Sequence, residues 1–176
     1  MAKKVFKADL SISSIRQLQK DLMRYQGNLT NKTSQLAKRL SEIGVDIAQV
    51  QIADLDAIFT GELIASIHSE YKDSTKHGAI FAVVADDESA VFVEFGTGIV
   101  GQKSPYPYEF PEGVTWEYAS GKTIRRLADG KYGWFYKDDN GDWWFTEGMP
   151  SRSFLYNTSL ELQKEVVKIA KEVFGK

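Results

Sequence analysis

Apolar positions recur at helical intervals near both ends of the chain and at strand-like intervals between them. Ile15, Leu18, Leu22 and Tyr25 follow steps of three and four, the spacing of one helix face. Ser14 with Gln17 reads as a capping box that opens this helix, and Gly27-Asn28 as its stop. Leu36, Leu40, Ile43, Ile47 and Val50 repeat the spacing and predict a second, longer helix from near Thr30 to near Phe59. Leu155, Leu162, Val166, Ile169 and Val173, widened by Leu160, Val167 and Phe174, predict a last helix from near Ser153.

Between these helices the period shortens. Val5 to Leu10 reads as a short strand, and Leu63 to Tyr71 alternates imperfectly. Ala79 to Ala85 and Ala90 to Phe95 are apolar runs flanking Asp86-Asp87-Glu88-Ser89, which predicts an antiparallel hairpin. Pro105, Pro107 and Pro111 break regular structure, and Val114 to Tyr118 reads as a further strand. Trp134 to Lys137 and Trp143 to Thr146 flank a turn containing Asn140-Gly141, a pair suited to a type I′ turn. That turn would place Tyr136 opposite Phe145, with Trp134 and Trp143 on one face and Phe135 and Trp144 on the other. The predicted class is α+β: an antiparallel sheet, a long N-terminal helix, a packed C-terminal helix and an inserted aromatic hairpin. We expect one domain over 1–176, with 98–147 an insertion inside it.

Composition narrows the function classes. Hydrophobic residues form 43% and charged residues 26% of the chain, a globular balance. A net charge of −2 supplies no general excess of positive charge to hold nucleic acid. Cysteine is absent, which removes thiolate catalysis and disulfides and suits assembly in a reducing cytoplasm. The basic start lacks a signal-like apolar run, and no stretch of about 18 apolar residues predicts a membrane span.

Motifs that carry chemistry are incomplete. Gly96-Thr97-Gly98-Ile99-Val100-Gly101 fits the dinucleotide-binding glycine pattern, but Gln102 to Pro107 is a poor continuation for the required helix and no βαβ unit surrounds it. A loop leaving a strand is the better reading. Gly121-Lys122-Thr123 resembles the end of a phosphate-binding loop, yet Trp116 occupies the position that needs glycine. His68 and His77 have no ligand-pair spacing and are assigned to a strand and a turn. Asp138, Asp139, Asn140 and Asp142 read as turn chemistry rather than a calcium loop. No nucleophile motif is present. The expectation is therefore no enzyme, no cofactor and no metal. The aromatic hairpin leaves three readings open: burial on its own domain, docking to a neighbouring subunit or partner, and stacking on bases or sugars.

Three segments in order resemble the lambdoid "gene product ten"-like tail-component family of tailed bacteriophages, also described as a tail-completion or neck family. Thr60-Gly61-Glu62-Leu63-Ile64-Ala65-Ser66-Ile67 resembles its T-G-x-L-x-x-S-I after a long helix. Val93-Glu94-Phe95-Gly96-Thr97 resembles its most recognisable signature. Gly148 to Leu155 resembles its Gly…Ala-Arg-Pro-Phe-Leu stretch, with Ser153 where proline is common. Residues 98–147 exceed the insertion many members carry.

The resemblance implies a virion structural protein acting in tail completion or head–tail joining, made in the host cytoplasm and residing at the tail or neck. Expected partners are further copies of itself in a ring and other phage neck and tail proteins, with DNA passing unread and no membrane. The loop Gly96 to Pro107 and the hairpin 134–145 are expected at contacts, through Phe95, Gly96, Thr97, Trp134, Tyr136, Trp143, Phe145 and Phe154. The alternative is a cytosolic protein-binding module that uses the same hairpin.

Overall fold

The computed structural model describes residues 4–54, 61–118, 125–138 and 140–175. It is a mixed α+β chain with a long N-terminal helix, antiparallel sheets and a C-terminal helix, in agreement with the expected class. The chain divides into two compact units. The first holds residues up to Asp46 with His68–Val84 and Leu160–Lys176; the second holds Ile47–Ile67 and Ala85–Ser159.

Helix α1 runs unbroken over Ile12–Asp54, where the sequence suggested two helices. It starts one turn earlier than the capping box read from Ser14. The carbonyl of Ser11 accepts the first helical bond from Ile15, and its hydroxyl accepts from the Ser14 N–H at 3.2 Å. Ser14 Oγ in turn accepts from the Asp9 N–H at 3.0 Å. Gly27 does not stop the helix, because continuing a helix is cheap once nucleated and an exposed glycine costs only about 1 kcal/mol. Residues 4–9 form no strand. Instead Phe6 meets Tyr25 edge-on at 5.5 Å between ring centroids. The expected end near Phe59, and Thr60, lie outside the described residues.

Within the first unit, β1 (Ile67–Thr75) and β2 (Gly78–Ala85) form a two-stranded sheet, joined through a turn at Lys76-His77. His68 and His77 thus fall on a strand and a turn. The α1 side chains hold the hairpin by hydroxyls: Ser41 and Ser69 lie 2.6 Å apart, Thr33 Oγ1 donates to the His77 carbonyl at 2.6 Å, and Ser34 Oγ accepts from Ala79 N–H at 3.0 Å. Helix α5 (Phe154–Phe174) adds Arg39–Glu172 at 2.6 Å. Gly44 lets α1 approach both neighbours, since a Cβ there would lie 2.7 Å from Val83 and 2.9 Å from Leu162.

The second unit gathers buried apolar side chains: Ala48 and Ile52 from the end of α1, Leu63 from α2 (Glu62–Ser66), Ile67, and Ala90, Val93, Phe95, Tyr106 and Phe154 from the chain after β2. Two short helices replace expected non-helical segments. Ala90–Phe95 is α3, not the second hairpin strand: Asp87 Oδ1 accepts from the Ser89 N–H, the Ser89 carbonyl receives the N–H groups of Phe92 and Val93, and the polar run opens a helix. Ala90, Val93 and Glu94 face inward, a helical spacing that a six-residue apolar run conceals. Gly98–Lys103 is α4, where a loop was expected. Val114 to Tyr118 forms no strand.

A three-stranded antiparallel sheet follows, in the order β3 (Arg125–Arg126), β4 (Tyr132–Lys137) and β5 (Trp143–Thr146). The Asp138 carbonyl accepts from the Gly141 N–H at 2.9 Å, and Gly141 takes φ +86°. Glycine therefore follows the tight turn instead of sitting inside a type I′ turn, and the register slips by one residue on one strand. Phe135 pairs with Phe145, Tyr136 with Trp144 and Lys137 with Trp143. Trp134, Tyr136 and Trp144 share one face, and Phe135, Lys137, Trp143 and Phe145 the other, so Trp134 and Trp143 are on opposite faces.

The two α1 glycines predict opposite substitution effects. Gly27→Ala meets no atom within 4 Å and should stabilise by about 1 kcal/mol. Gly44→Ala should destabilise by about the same amount, because Val83 is stiff at χ1. Thermal unfolding of the two variants checks the signs.

Candidate docking surface

The second unit is organised by a junction between residues 93–98 and 148–156. Val93 and Glu94 carbonyls accept from the N–H groups of Arg152 and Ser153 at 2.9 and 3.1 Å, and Ser151 Oγ donates to the Glu94 carbonyl at 2.6 Å. The Glu94 carboxylate reaches across and accepts the N–H groups of Leu155 and Tyr156 at 2.8 and 3.2 Å. These are orphan donors in the first turn of α5, where negative charge is also favoured by the helix dipole. Burial pushes the Glu94 carboxyl above the usual carboxylate range, and the two N–H bonds pull it back. Sequence reasoning missed this role, although an acid flanked by Val93 and Phe95 in an apolar run was its signal.

The glycine motif belongs to the same junction. A Cβ on Gly96 would lie 2.5 Å from the Ser151 nitrogen, and Gly96 takes φ +83°. Gly98 faces the Glu147 carbonyl and the Trp134 ring, and Gly101 faces the Tyr118 ring. The Gly98 and Val100 N–H groups donate to the carbonyls of Tyr118 and Glu147. The glycines thus serve close contact within the chain. Thr97 and Gly98 bridge to Met149 and Gly148, and Thr97 Oγ1 accepts from Met149 N–H at 3.3 Å.

Aromatic side chains from the proline-containing segment fill the space beside the junction. Phe95 lies 4.9 Å from Tyr106, 5.4 Å from Phe110 and 5.3 Å from Trp116, and Tyr108 stacks on Tyr156 at 3.7 Å. Such pairs add about 0.5–1.5 kcal/mol each beyond their burial. Trp116 Nε1 donates to the Gly96 carbonyl at 2.9 Å, and Tyr108 Oη to Asn157 at 3.3 Å. Desolvation, then the Glu94 charge, pushes the Tyr106 hydroxyl up to about 12.

The chain matches no family model, no curated protein and no solved structure.

The expected contact residues separate into two groups. Phe95, Gly96, Thr97 and Phe154 belong to the junction, and Phe154 is fully buried. Trp134 and Tyr136 are half-buried, and Trp134 lies against Gly98. The opposite sheet face is open. Trp143 is 66% exposed and Phe135 50%, with Phe145 beside Phe135 at 5.2 Å and Lys137 Nζ 5.1 Å from the Trp143 ring. Trp144 is 54% exposed and donates its indole N–H to Asp138 Oδ2 at 2.9 Å. That bond is the main reason the Asp138 carboxyl titrates below its usual range. Exposure of Phe135 and Trp144 was not anticipated as a site. Their candidate role is docking, since large exposed aromatics are the residues that anchor interfaces.

Among the described residues no cluster of acidic, histidine or cysteine side chains could hold a metal, and no helix is long and apolar enough to cross a membrane. The phosphate-loop fragment Gly121-Lys122-Thr123 and Asp139 lie outside the described residues.

Two predictions follow from the contrast between junction and sheet. Folded Glu94 holds its proton more tightly than unfolded Glu94, so its contribution is complete below the ordinary glutamate range and declines as pH rises through the raised value. Glu94→Gln should flatten the stability–pH curve there, and Glu94→Ala should cost about 1–3 kcal/mol by stranding two donors; denaturant titrations at stepped pH read both. Trp134→Ala should cost about 1–3 kcal/mol, whereas Trp143→Ala should change stability by less than about 0.5 kcal/mol. Equal losses in thermal melts would place both rings in the interior.

Proposed function

We propose that the chain is a structural subunit of a tailed phage or prophage virion, acting in tail completion or head–tail joining as an oligomeric ring. One observation carries the reading. The second and third segments of the family resemblance, Val93–Thr97 and Gly148–Leu155, lie 50 residues apart in sequence and interlock through Glu94, Arg152 and Ser153. A common structural cause thus stands behind two motifs that the sequence presents separately. Ser153 departs from the pattern in a physical way as well, since its φ of +50° is closed to a proline ring.

An assembly role is supported by the open aromatic sheet face. A ring uses heterologous contacts, so the face presented by one subunit must meet a different face of the next. The subunit would be made in the host cytoplasm and reside at the tail or neck, with neighbouring phage proteins as further partners and DNA passing without sequence-specific contact. No catalytic step is assigned to it.

Deletion of the gene from the carrying phage, followed by induction and electron microscopy of the lysate, tests the proposal. The expected result is filled heads separate from tails, or tails of aberrant length, restored by complementation. Normal numbers of infectious virions would overturn it.

A further inference from the structure

The first half of α1 is an exposed amphipathic surface with basic side chains on both flanks. Between Ile12 and Leu29 no residue is buried. Leu29, Leu22, Ile15, Ile12 and Met23 are all exposed. At 3.6 residues per turn they share one arc of about 120°, about 26 Å long. Gln19 and Gln26 also fall within this arc, and no charged residue does. Arg16, Lys20 and Arg24 continue around the helix from the Met23 edge at intervals of four, all exposed and without an ion pair among the described residues. Beyond the Leu29 edge lies Tyr25, where Phe6 packs edge-on and Lys4 Nζ lies 5.0 Å from the ring centroid. The two acids of the stretch are engaged locally: Asp9 accepts from the Ser11 N–H and Asp21 from the Gln17 side chain. Residues 4–32 carry six basic side chains against these two acids, a net +4 in a chain whose total is −2.

We infer that this half of α1 lies in the surface of an anionic lipid bilayer, its apolar arc at the boundary of headgroups and acyl chains and its basic flanks on the lipid phosphates. Charge and polarity together choose this occupant. A second copy of the same surface would set net +4 against net +4. Nucleic acid would satisfy the basic flank and leave five apolar side chains in water. An anionic bilayer covers both, because Lys and Arg reach the headgroups from either side of a buried arc. A helix in the interface needs no apolar run of spanning length, and none occurs among the described residues. The contact goes beyond the expectation of no membrane and does not depend on the proposed virion role.

Flotation of the full-length chain with phosphatidylcholine vesicles, made with and without phosphatidylglycerol, tests the inference. The expected result is binding to the anionic vesicles alone, weakened when salt rises from about 0.1 M to about 0.5 M. Arg16→Gln, Lys20→Gln and Arg24→Gln together should weaken binding by at least about tenfold, since each basic side chain near an anionic surface adds about fivefold. Leu22→Gln with Met23→Gln should weaken it comparably, because the apolar arc is half of the contact. Lys164→Gln with Lys168→Gln, which removes exposed positive charge from α5, should leave binding unchanged. No binding to anionic vesicles, or equal binding to neutral ones, would overturn the inference. So would loss through the basic changes with none through Leu22 and Met23, the pattern expected of a nucleic-acid or acidic-protein surface.

The absence of cysteine gives a second readout of orientation. Met23→Cys and Asn28→Cys, each labelled with an environment-sensitive fluorophore, place the probe in the arc and on the far side of the same helix. Anionic vesicles should blue-shift the probe at 23 and leave the probe at 28 in water. Equal shifts at both positions, or none at either, would overturn the proposed orientation. Vesicle binding and the gene deletion are independent, so either can fail while the other stands.

Discussion

A single buried carboxylate holds the second unit in register. Glu94 sits on a six-residue helix that has no independent stability, and it caps the first turn of the 21-residue α5. Its backbone carbonyl receives Ser153 N–H and Ser151 Oγ, so one residue fixes both the chain path into α5 and the start of that helix. Gly96 permits this approach, because any Cβ would strike the Pro150–Ser151 backbone. The aromatic rings of the proline-containing segment then close over Phe95. Without the Glu94 bonds, two helix donors would be stranded in an apolar setting, a cost comparable to a sizeable share of a small protein's net stability.

That arrangement separates aromatic residues by job. Phe95, Tyr106 and Phe154 hold the interior, and half-buried Trp116 packs on Phe95 and donates its indole N–H to the Gly96 carbonyl. Phe135 and Trp143 stand outside, where Phe135 meets Phe145 edge-on and Lys137 lies over the Trp143 ring. Solvent-exposed tryptophan on a well-paired strand gains little from folding alone, which is why we propose this face for contact between molecules.

Much of the fold was legible in the sequence where patterns were long. The stripe from Leu155 to Val173 marked α5, and the spacing from Leu36 to Val50 marked the second half of α1. Short segments misled for definable reasons. Ala90–Phe95 has the composition of a strand, and six residues cannot reveal a 3.6-residue period. Gly27 looked like a stop, but a glycine ends a helix only where the chain turns. Asn140-Gly141 suggested a turn one residue out of place, and that slip exchanged the faces of the hairpin aromatics. Of the candidate site, the hairpin was visible and its open face was not. Which of several adjacent aromatics faces solvent depends on register, and the role of Glu94 depends on a partner about 60 residues away.

The proposed tail or neck role makes the chain a stoichiometric part of a virion. Quantitative mass spectrometry of gradient-purified particles from the carrying phage tests this most directly. The expected result is a fixed small number of copies per particle, comparable to a ring and co-purifying with tails or necks. Its absence from infectious particles, with abundant chain left in the lysate, would contradict the virion assignment.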